Sequence, residues 1–172
     1  MFVLKVLIVL VVIFVVATII NGIEDYHTSN SLTRLPFTDT MRRIKLPIVS
    51  LTNNGQTFKF LIDTGATLSV VDSKVLNKLD YSELGIKGNA YGIDGNIVNV
   101  DYVIMALSHG NTKFVEQFQV MRLDAFDNLR KTDNIDLAGI LGGEFLKRHN
   151  FVVDYKKLIA YTKVHKDGSN KA

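Results

Sequence analysis

Short apolar runs separated by turn residues follow one another through most of the chain after residue 43. Ile44, Leu46 and Ile48 alternate along the chain, and Asn53-Asn54-Gly55 behind them is typical of a tight β-hairpin turn. Many short strands at such spacing predict an all-β fold, either a small β-barrel or a sandwich. Further runs of strand character cover 57–62, 68–71, 87–91, 97–107 and 113–121.

Short helical segments and two last strands complete the predicted elements. Asp72 or Ser73 can cap a short helix that extends to Leu79. The polar stretch 124–136 predicts a loop with one helical turn. An apolar strand from Ala138 ends at a pair of glycines, and a short helix then extends to about His149. The last two strands are predicted over 151–155 and 158–161.

The beginning of the chain, residues 1–21, differs from the rest, because 2–20 are apolar except for Lys5 and Thr18. A spanning helix needs about 20 such residues, so we predict an N-terminal transmembrane anchor, with a cleaved signal peptide as the alternative. We interpret 22–42 as a juxtamembrane linker, 43–162 as the folded domain and 163–172 as a polar tail. The positive-inside rule then favours a single-pass membrane protein with an extracytoplasmic domain.

Composition removes several classes of function. The 172-residue chain has a formal net charge of +3, and its scattered basic residues lack the clustered stripe of a nucleic-acid-binding surface. The absence of Cys excludes disulfides, thiolate nucleophiles and Cys-based zinc sites. The 4 His residues are widely spaced, and we interpret all of them as solvated surface residues with no metal site among them.

One acid is placed where an acid is costly. Asp63 stands in the sequence Leu61-Ile62-Asp63-Thr64-Gly65-Ala66, with a second apolar run directly behind it. Burying a carboxylate is unfavourable unless it is hydrogen-bonded or functional. The pattern therefore indicates a chemical role for Asp63, although an Asp in such a turn can also simply cap it.

Two further motifs add to the Asp-Thr-Gly sequence. One is the glycine-rich hairpin Gly92-Ile93-Asp94-Gly95, and the other is Gly139-Ile140-Leu141-Gly142-Gly143-Glu144-Phe145-Leu146. Together the three motifs resemble the retropepsin-like aspartic proteases, including their membrane-linked bacterial members. The likeness covers about 45–161 and implies a small closed acid-protease-type β-barrel with one or two short helices.

The resemblance also implies a role for each matching residue. Asp63 would be the catalytic acid, Thr64 would brace the loops across a dimer interface, and Gly65 and Ala66 would complete the loop. Two larger groups follow from the other motifs. The hairpin residues Tyr91, Gly92, Ile93, Asp94 and Gly95 would close over the substrate, and Ile140, Leu141 and Gly142 would pack against the catalytic loop.

Carboxylate-catalysed peptide hydrolysis needs one group to take a proton from water and another to give one. Two neighbouring carboxyls achieve this by sharing one proton. The chain contains no second Asp-Thr-Gly or Asp-Ser-Gly, so a homodimer would have to supply the second Asp63. The predicted function is an aspartic endopeptidase that acts on an extended peptide and needs no cofactor or metal.

Other readings remain open at the level of sequence. The same fold could serve as a non-catalytic, membrane-tethered peptide-binding or structural β-domain. Asp136 favours a loop role, Asp154 a turn role, and Ser69 lacks a His nearby in the sequence that would support a serine hydrolase. Ala66 cannot donate a side-chain hydrogen bond to the carboxylate, so we expect a mildly acidic to near-neutral optimum of activity.

Overall fold

The structure, a computed structural model, describes residues 32–91 and 97–163, apart from the side chains of Tyr91 and Lys163. Residues Thr33–Thr162 form one compact unit. A second unit, Met1–Leu32 with Lys163–Ala172, falls almost wholly outside the described residues. The predicted anchor 1–21 and the hairpin tip 92–95 therefore lie outside them as well. In the part that is described, no helix is long and apolar enough to cross a membrane.

Strands dominate the described ranges, and the helices are short. The strands are β1 (Leu32–Pro36), β2 (Ile48–Asn53), β3 (Gln56–Ile62), β4 (Ser69–Asp72), β5 (Ser82–Tyr91), β6 (Ile97–His109), β7 (Thr112–Met121), β8 (Leu137–Leu141), β9 (Val152–Asp154) and β10 (Ile159–Lys163). The helices are α1 (Thr38–Ile44), α2 (Ala125–Asp133) and α3 (Gly143–Arg148), with one 3-10 turn at Leu76–Lys78.

Six strands close into a barrel in the order β2-β3-β8-β4-β7-β6, and β6 returns to β2 at the pair Ser108–Thr52. Closure leaves no free edge within this ring. β5 adds to the ring as a seventh strand that pairs with β6, and β1-β10-β9 form a separate three-stranded sheet. The all-β prediction and the closed barrel are confirmed, and the sandwich alternative is wrong.

The β2–β3 hairpin shows how local sequence sets the register. Asn54 and Gly55 both have positive φ angles, 44° and 80°, which is the backbone of a two-residue turn that matches strand twist. The register that follows pairs Ile48 with Leu61 and Val49 with Phe60. Because β3 ends at Ile62, this register fixes the point at which the chain delivers Asp63.

The barrel is filled by inward-facing apolar side chains. Phe60 of β3 and Phe118 of β7 are both fully buried, with ring centroids 6.1 Å apart. Phe145 of α3 is also fully buried, and its ring lies edge-on to that of Phe114. Each such side chain contributes about 1.5–3 kcal/mol of hydrophobic stabilisation. The core therefore joins β3, β7 and α3, the elements that surround the Asp63 loop.

The folded domain begins before residue 43. Leu35 and Phe37 are 1% and 2% exposed and belong to the main core, and the unit starts at Thr33. The residues 32–42 that we assigned to a linker form β1 and most of α1 instead. Leu35 and Phe37 alternate with exposed residues as a strand requires, but the surrounding Ser, Thr and Asn residues concealed that period.

Two helical predictions differ from the structure in length. The segment from Asp72 to Leu79 contains only the 3-10 turn, because Asp72 ends β4 and its Oδ1 caps a tight turn through the N–H of Lys74 at 3.1 Å. The stretch 124–136, expected to hold a single helical turn, contains the nine-residue helix α2. Three helices are thus present within 32–91 and 97–163, where the family resemblance implied one or two.

Candidate active site

Asp63 is the first residue of the loop between β3 and β4, and its backbone N–H and carbonyl groups are both hydrogen-bonded. Its N–H donates to the carbonyl of Leu141 at 3.1 Å, and its own carbonyl accepts the N–H of Ala66 at 3.2 Å. The carboxylate Oδ1 accepts the N–H of Gly65 at 2.9 Å. These contacts fix the side chain without any other side chain taking part.

The loop lies at the surface of this chain. Asp63 is half-buried, whereas Thr64 and Gly65 are exposed, and Leu68 keeps 38% of its side chain in contact with solvent. The sequence suggested a buried acid, but burial is confined to its surroundings, namely all of β4 and the residues Phe60 and Ile62 of β3. The Asp63 carboxylate is therefore accessible to a substrate or to a second protein chain.

Strand β8 passes between the two strands that carry this loop. Ile140 pairs with Leu61 of β3 in a parallel ladder and with Val70 of β4 in an antiparallel one. Gly139 makes the approach possible, since a Cβ there would lie 2.2 Å from the carbonyl oxygen of Val70. Both ends of the Asp63 loop are thus hydrogen-bonded to the same short strand.

The glycine pair after β8 meets the far side of the loop. Gly143 donates its N–H to the carbonyl of Ala66 at 2.7 Å, and Glu144 donates to that of Thr67 at 3.0 Å. A Cβ on Gly142 would lie 2.5 Å from the carbonyl oxygen of Leu68. The structure therefore brings Ile140, Leu141 and Gly142 against the loop that carries Asp63.

Of the predicted flap residues 91–95, the structure describes only the backbone of Tyr91. β5 and β6 form a long antiparallel hairpin that pairs up to Tyr91 and Ile97. Gly92, Ile93, Asp94 and Gly95 lie outside the described residues, and so does the side chain of Tyr91. At the start of β6, Ile97 and Val98 are 59% and 48% exposed, although side chains of this type are more often buried.

The site is one continuous unit. Asp63 lies on a hydrogen-bonded loop, β8 pairs with the strands on both sides of that loop, and Gly142 and Gly143 pack against its far side. Residues 49–145, more than half of the chain, match the family model described as aspartyl protease. The chain belongs to the aspartyl protease family. The match includes the Asp63 loop and ends within α3. A search of curated proteins found no match to the chain.

The other acids nominated from this aspartyl protease sequence have structural partners. Asp136 is exposed and paired with Arg130, whose Nε donates to it at 3.0 Å. Asp154 accepts the N–H groups of Lys157 and Lys156, and the Lys157 bond, the larger cause, lowers the pKa of Asp154. Both residues therefore match the loop and turn roles expected of them.

A buried polar group behind the loop was missed from the sequence. Glu116 of β7 is only 2% exposed, and its Oε1 accepts the hydroxyl of Ser69 at 3.4 Å. Ser69 is itself fully buried, so its hydroxyl cannot act as a nucleophile on a substrate in solvent. The signal for Glu116 was its position between Phe114 and Phe118, where a strand's alternation directs all three inward.

His149 corrects the interpretation of the histidines as solvated surface residues. Its side chain is 18% exposed and its ring packs against Phe114 and Phe145 at centroid distances of 5.1 and 4.8 Å. His27 and His165 fall outside the described residues. Within 32–91 and 97–163, no group of three or more His, Asp or Glu residues could hold a metal ion.

Proposed function

We propose that the chain is a retropepsin-like aspartic endopeptidase that acts as a homodimer, with one Asp63 from each protomer. The main support is the environment of the sole Asp-Thr-Gly loop of the sequence. Backbone hydrogen bonds to Leu141, Gly143 and Glu144 hold the loop in place, while Thr64 and Gly65 are exposed. Clamping supplies the fixed geometry that catalysis needs. Exposure of Thr64 and Gly65 leaves the loop free to meet its copy on a two-fold axis.

The proposed reaction uses the two carboxyls in different protonation states. The ionised Asp63 takes a proton from a water molecule, whose oxygen bonds to the peptide carbonyl carbon. The protonated Asp63 gives its proton to the carbonyl oxygen. The product of this step is a tetrahedral gem-diol. Its carbon–nitrogen bond then breaks as the nitrogen takes a proton from the pair, and one gem-diol hydroxyl returns its proton to the pair to leave a carboxylic acid. The pair shares one proton at the start and at the end of each cycle.

The substrate proposed is an extended peptide that lies between the Asp63 loops and the β5–β6 hairpins. A polypeptide strand can satisfy its backbone groups on such a hairpin while alternate side chains enter pockets. The exposed Ile97 and Val98 would offer apolar contacts at the start of β6, beside its pairing with Tyr91. Membership of the aspartyl protease family supports the same class of substrate.

We also propose that residues 1–21 anchor the enzyme in a membrane with the protease domain on the extracytoplasmic side. The support is the apolar composition of 6–20, broken only by Thr18, and the absence of a Lys or Arg residue between residue 21 and Arg34. The chain should fractionate with membranes and resist alkaline extraction. Protease protection of the domain in right-side-out vesicles would contradict the proposed orientation.

The catalytic proposal is tested by Asp63→Asn in the full-length chain, purified in detergent and assayed on a peptide library. Cleavage should fall by about 10²- to 10⁴-fold, because acid–base catalysis by the pair is lost. Asp136→Asn is the matched control, since Asp136 is an exposed acid that is bonded to Arg130. Absence of cleavage by the unaltered chain, or equal cleavage by both variants, would favour the non-catalytic binding domain.

A further inference from the structure

Glu116 lies on the inward-facing side of β7, between the buried apolar residues Phe114 and Phe118. Along β7, Phe114, Glu116 and Phe118 are 2%, 2% and 0% exposed, while Val115 between them is exposed. A carboxylate in such a place is unfavourable unless its oxygens are engaged. The contacts of Glu116 therefore indicate what its burial is used for.

One oxygen of Glu116 leads to the active-site loop through Ser69. The Ser69 hydroxyl donates to Glu116 Oε1 at 3.4 Å and accepts the N–H of Gly142 at 3.2 Å. A hydroxyl has one hydrogen to donate, so Glu116 determines the direction in which Ser69 presents its lone pairs. The result is a directed chain of hydrogen bonds from Gly142 through Ser69 to Glu116.

Two members of that chain, Ser69 and Gly142, border the loop that carries Asp63. Ser69 is the first residue of β4, directly behind the loop. Gly142 follows Leu141, whose carbonyl accepts the N–H of Asp63 at 3.1 Å. A displacement of Gly142 would therefore reach Asp63 in two steps, the peptide bond to Leu141 and the hydrogen bond from Asp63, and a displacement of Ser69 would reach it in three.

The other oxygen of Glu116 faces the opposite end of α3. Its Oε2 lies 3.7 Å from Nη1 of Arg148 and 3.8 Å from Nε2 of His149, at the carboxyl end of that helix. Oε2 and His149 Nε2 are two of the few buried side-chain polar atoms in the described ranges that have no hydrogen-bond partner. Glu116 thus contacts both ends of α3. Its Oε2 lies near the side chains of Arg148 and His149 at the last turn, and its Oε1 is linked through Ser69 to Gly142, directly before the first turn.

We propose that Glu116 is a positioning residue for the Asp63 loop, acting through Ser69 and Gly142 without touching the substrate. This inference rests on the proposed peptidase function for its kinetic consequence and on the geometry alone for its structural one. Glu116 holds Ser69, Ser69 holds Gly142, and Gly142 fixes the strand end that hydrogen-bonds Asp63.

The first test measures amide hydrogen exchange of the full-length chain in detergent. Glu116→Leu and Ser69→Ala should each speed exchange at residues 63–69 and 142–144 by about tenfold or more, because local opening becomes easier. Gln119→Leu is the matched control, a buried polar residue on the same strand that donates to Tyr102. Glu116→Gln should preserve protection, since its amide oxygen can still accept the Ser69 hydroxyl.

The second test separates positioning from overall stability by kinetics. Ser69→Ala and Glu116→Leu should lower kcat by about tenfold to a hundredfold with little change in KM, the expected effect of a slightly displaced catalytic group. Glu116→Gln should recover most of kcat, and Gln119→Leu should leave it near the unaltered value. Loss of kcat to the same extent in Gln119→Leu would overturn the proposal.

The outcomes distinguish this inference from the catalytic proposal. If the unaltered chain cleaves no peptide, the peptidase function fails and hydrogen exchange alone decides the role of Glu116. Exchange in Ser69→Ala that equals that of the unaltered chain overturns the positioning role, whatever the activity. If Glu116→Leu does not fold, Ser69→Ala and Glu116→Gln carry the comparison, and Glu116→Gln must retain the slow exchange that Ser69→Ala loses.

Discussion

Small residues shape the Asp63 loop as much as the acid itself does. Gly142 has an ordinary extended backbone, so its conformation does not require glycine. The requirement is space, because the carbonyl oxygens of Leu68 and Ala66 would lie 2.5 and 2.9 Å from a Cβ. Backbone atoms in a hydrogen-bonded loop cannot move aside as a flexible side chain can. A single added methyl group at position 142 would therefore force the backbone of the Asp63 loop to move.

We predict that Gly142→Ala destabilises the fold by about 1–3 kcal/mol, the usual cost of overpacking, and also lowers peptidase activity. The added methyl would push the Leu68 carbonyl away and shift the Asp63 loop, which ends at Leu68. Urea unfolding and peptide cleavage, measured on the same preparation, check the two effects.

Gly143→Ala is the matched control for that substitution. Its nearest neighbour would be the Ala66 carbonyl oxygen at 3.5 Å, an ordinary contact distance. Alanine at the start of α3 should change stability by no more than about 1 kcal/mol, since it favours helix over glycine. Equal losses in the Gly142 and Gly143 variants would show that the close approach is unimportant.

Ala66 leads to a prediction about pH. Its methyl group cannot donate a hydrogen bond, whereas the hydroxyl of Ala66→Ser could donate one to a neighbouring carboxylate and favour the ionised form. We expect the unaltered enzyme to be most active at mildly acidic to near-neutral pH, and Ala66→Ser to be most active at lower pH. A pH–rate profile of the unaltered enzyme peaking near about pH 2 to 3, in the range of the pepsin pair, would contradict this expectation.

At the scale of elements, ionic contacts tie α2 to the turn after β4. Lys74 lies 2.8 Å from Asp124 and 2.7 Å from Asp127, and Arg122 also binds Asp124. The hydrogen bonds to Asp124 and Asp127 raise the pKa of Lys74 above its ordinary value of 10.5. The hydrogen bond from Lys74 is the main cause that lowers the pKa of both carboxyls below 3.8.

The direction of these shifts predicts how stability depends on pH. Lowered carboxyl pKa values stabilise the fold above pH 3.8, and that contribution is lost as pH falls through the lowered values. Lys74→Met should therefore lower the free energy of unfolding at neutral pH, with the deficit shrinking at strongly acidic pH. Asp124 is 65% exposed, so added salt should reduce the deficit too.

Chemical denaturation at several pH values measures this effect, with Lys78→Met as the control. Lys78 is an exposed lysine of the adjacent 3-10 turn. A stability difference between the two variants that stayed constant from neutral to strongly acidic pH would argue against an ionic role for Lys74.

At the scale of the whole molecule, the site of one chain is incomplete for the proposed reaction. Asp63 is the only acid that the Asp-Thr-Gly motif supplies, and the other acids nominated in the described ranges, Asp136 and Asp154, are engaged elsewhere. Activity should therefore depend on pairing of chains. An anchor in a membrane would raise the local concentration of chains and favour that pairing.

Mixing unaltered chain with Asp63→Asn tests this directly. If protomers exchange at random, a threefold excess of the variant should leave about a quarter of the activity, because most unaltered chains then sit in mixed dimers. The same excess of an unrelated membrane protein is the control. Unchanged activity, together with a single monomeric species in sedimentation at high concentration, would rule out the shared site.

Much of the fold followed from local sequence signals. Asn54 and Gly55 specified a hairpin through their positive φ angles, and the alternating runs specified the strands that they join. The α1 helix and β1 were missed, because the buried apolar residues of this segment, Leu35 in β1 and Phe37 just before α1, lie in a stretch of polar composition. Short segments reveal their structure only when a core is present to bury them.

The sequence by itself determined the chemistry of the site, because Asp63-Thr64-Gly65 and the Ile140-Leu141-Gly142 motif are local patterns. The family resemblance implied that these motifs are neighbours, but only the tertiary structure supplied the contacts between them and placed Glu116 and Ser69 behind them. Barrel closure and the passage of β8 between β3 and β4 join residues more than seventy positions apart. Such contacts leave no periodic trace in the sequence, since each depends on how distant strands are paired.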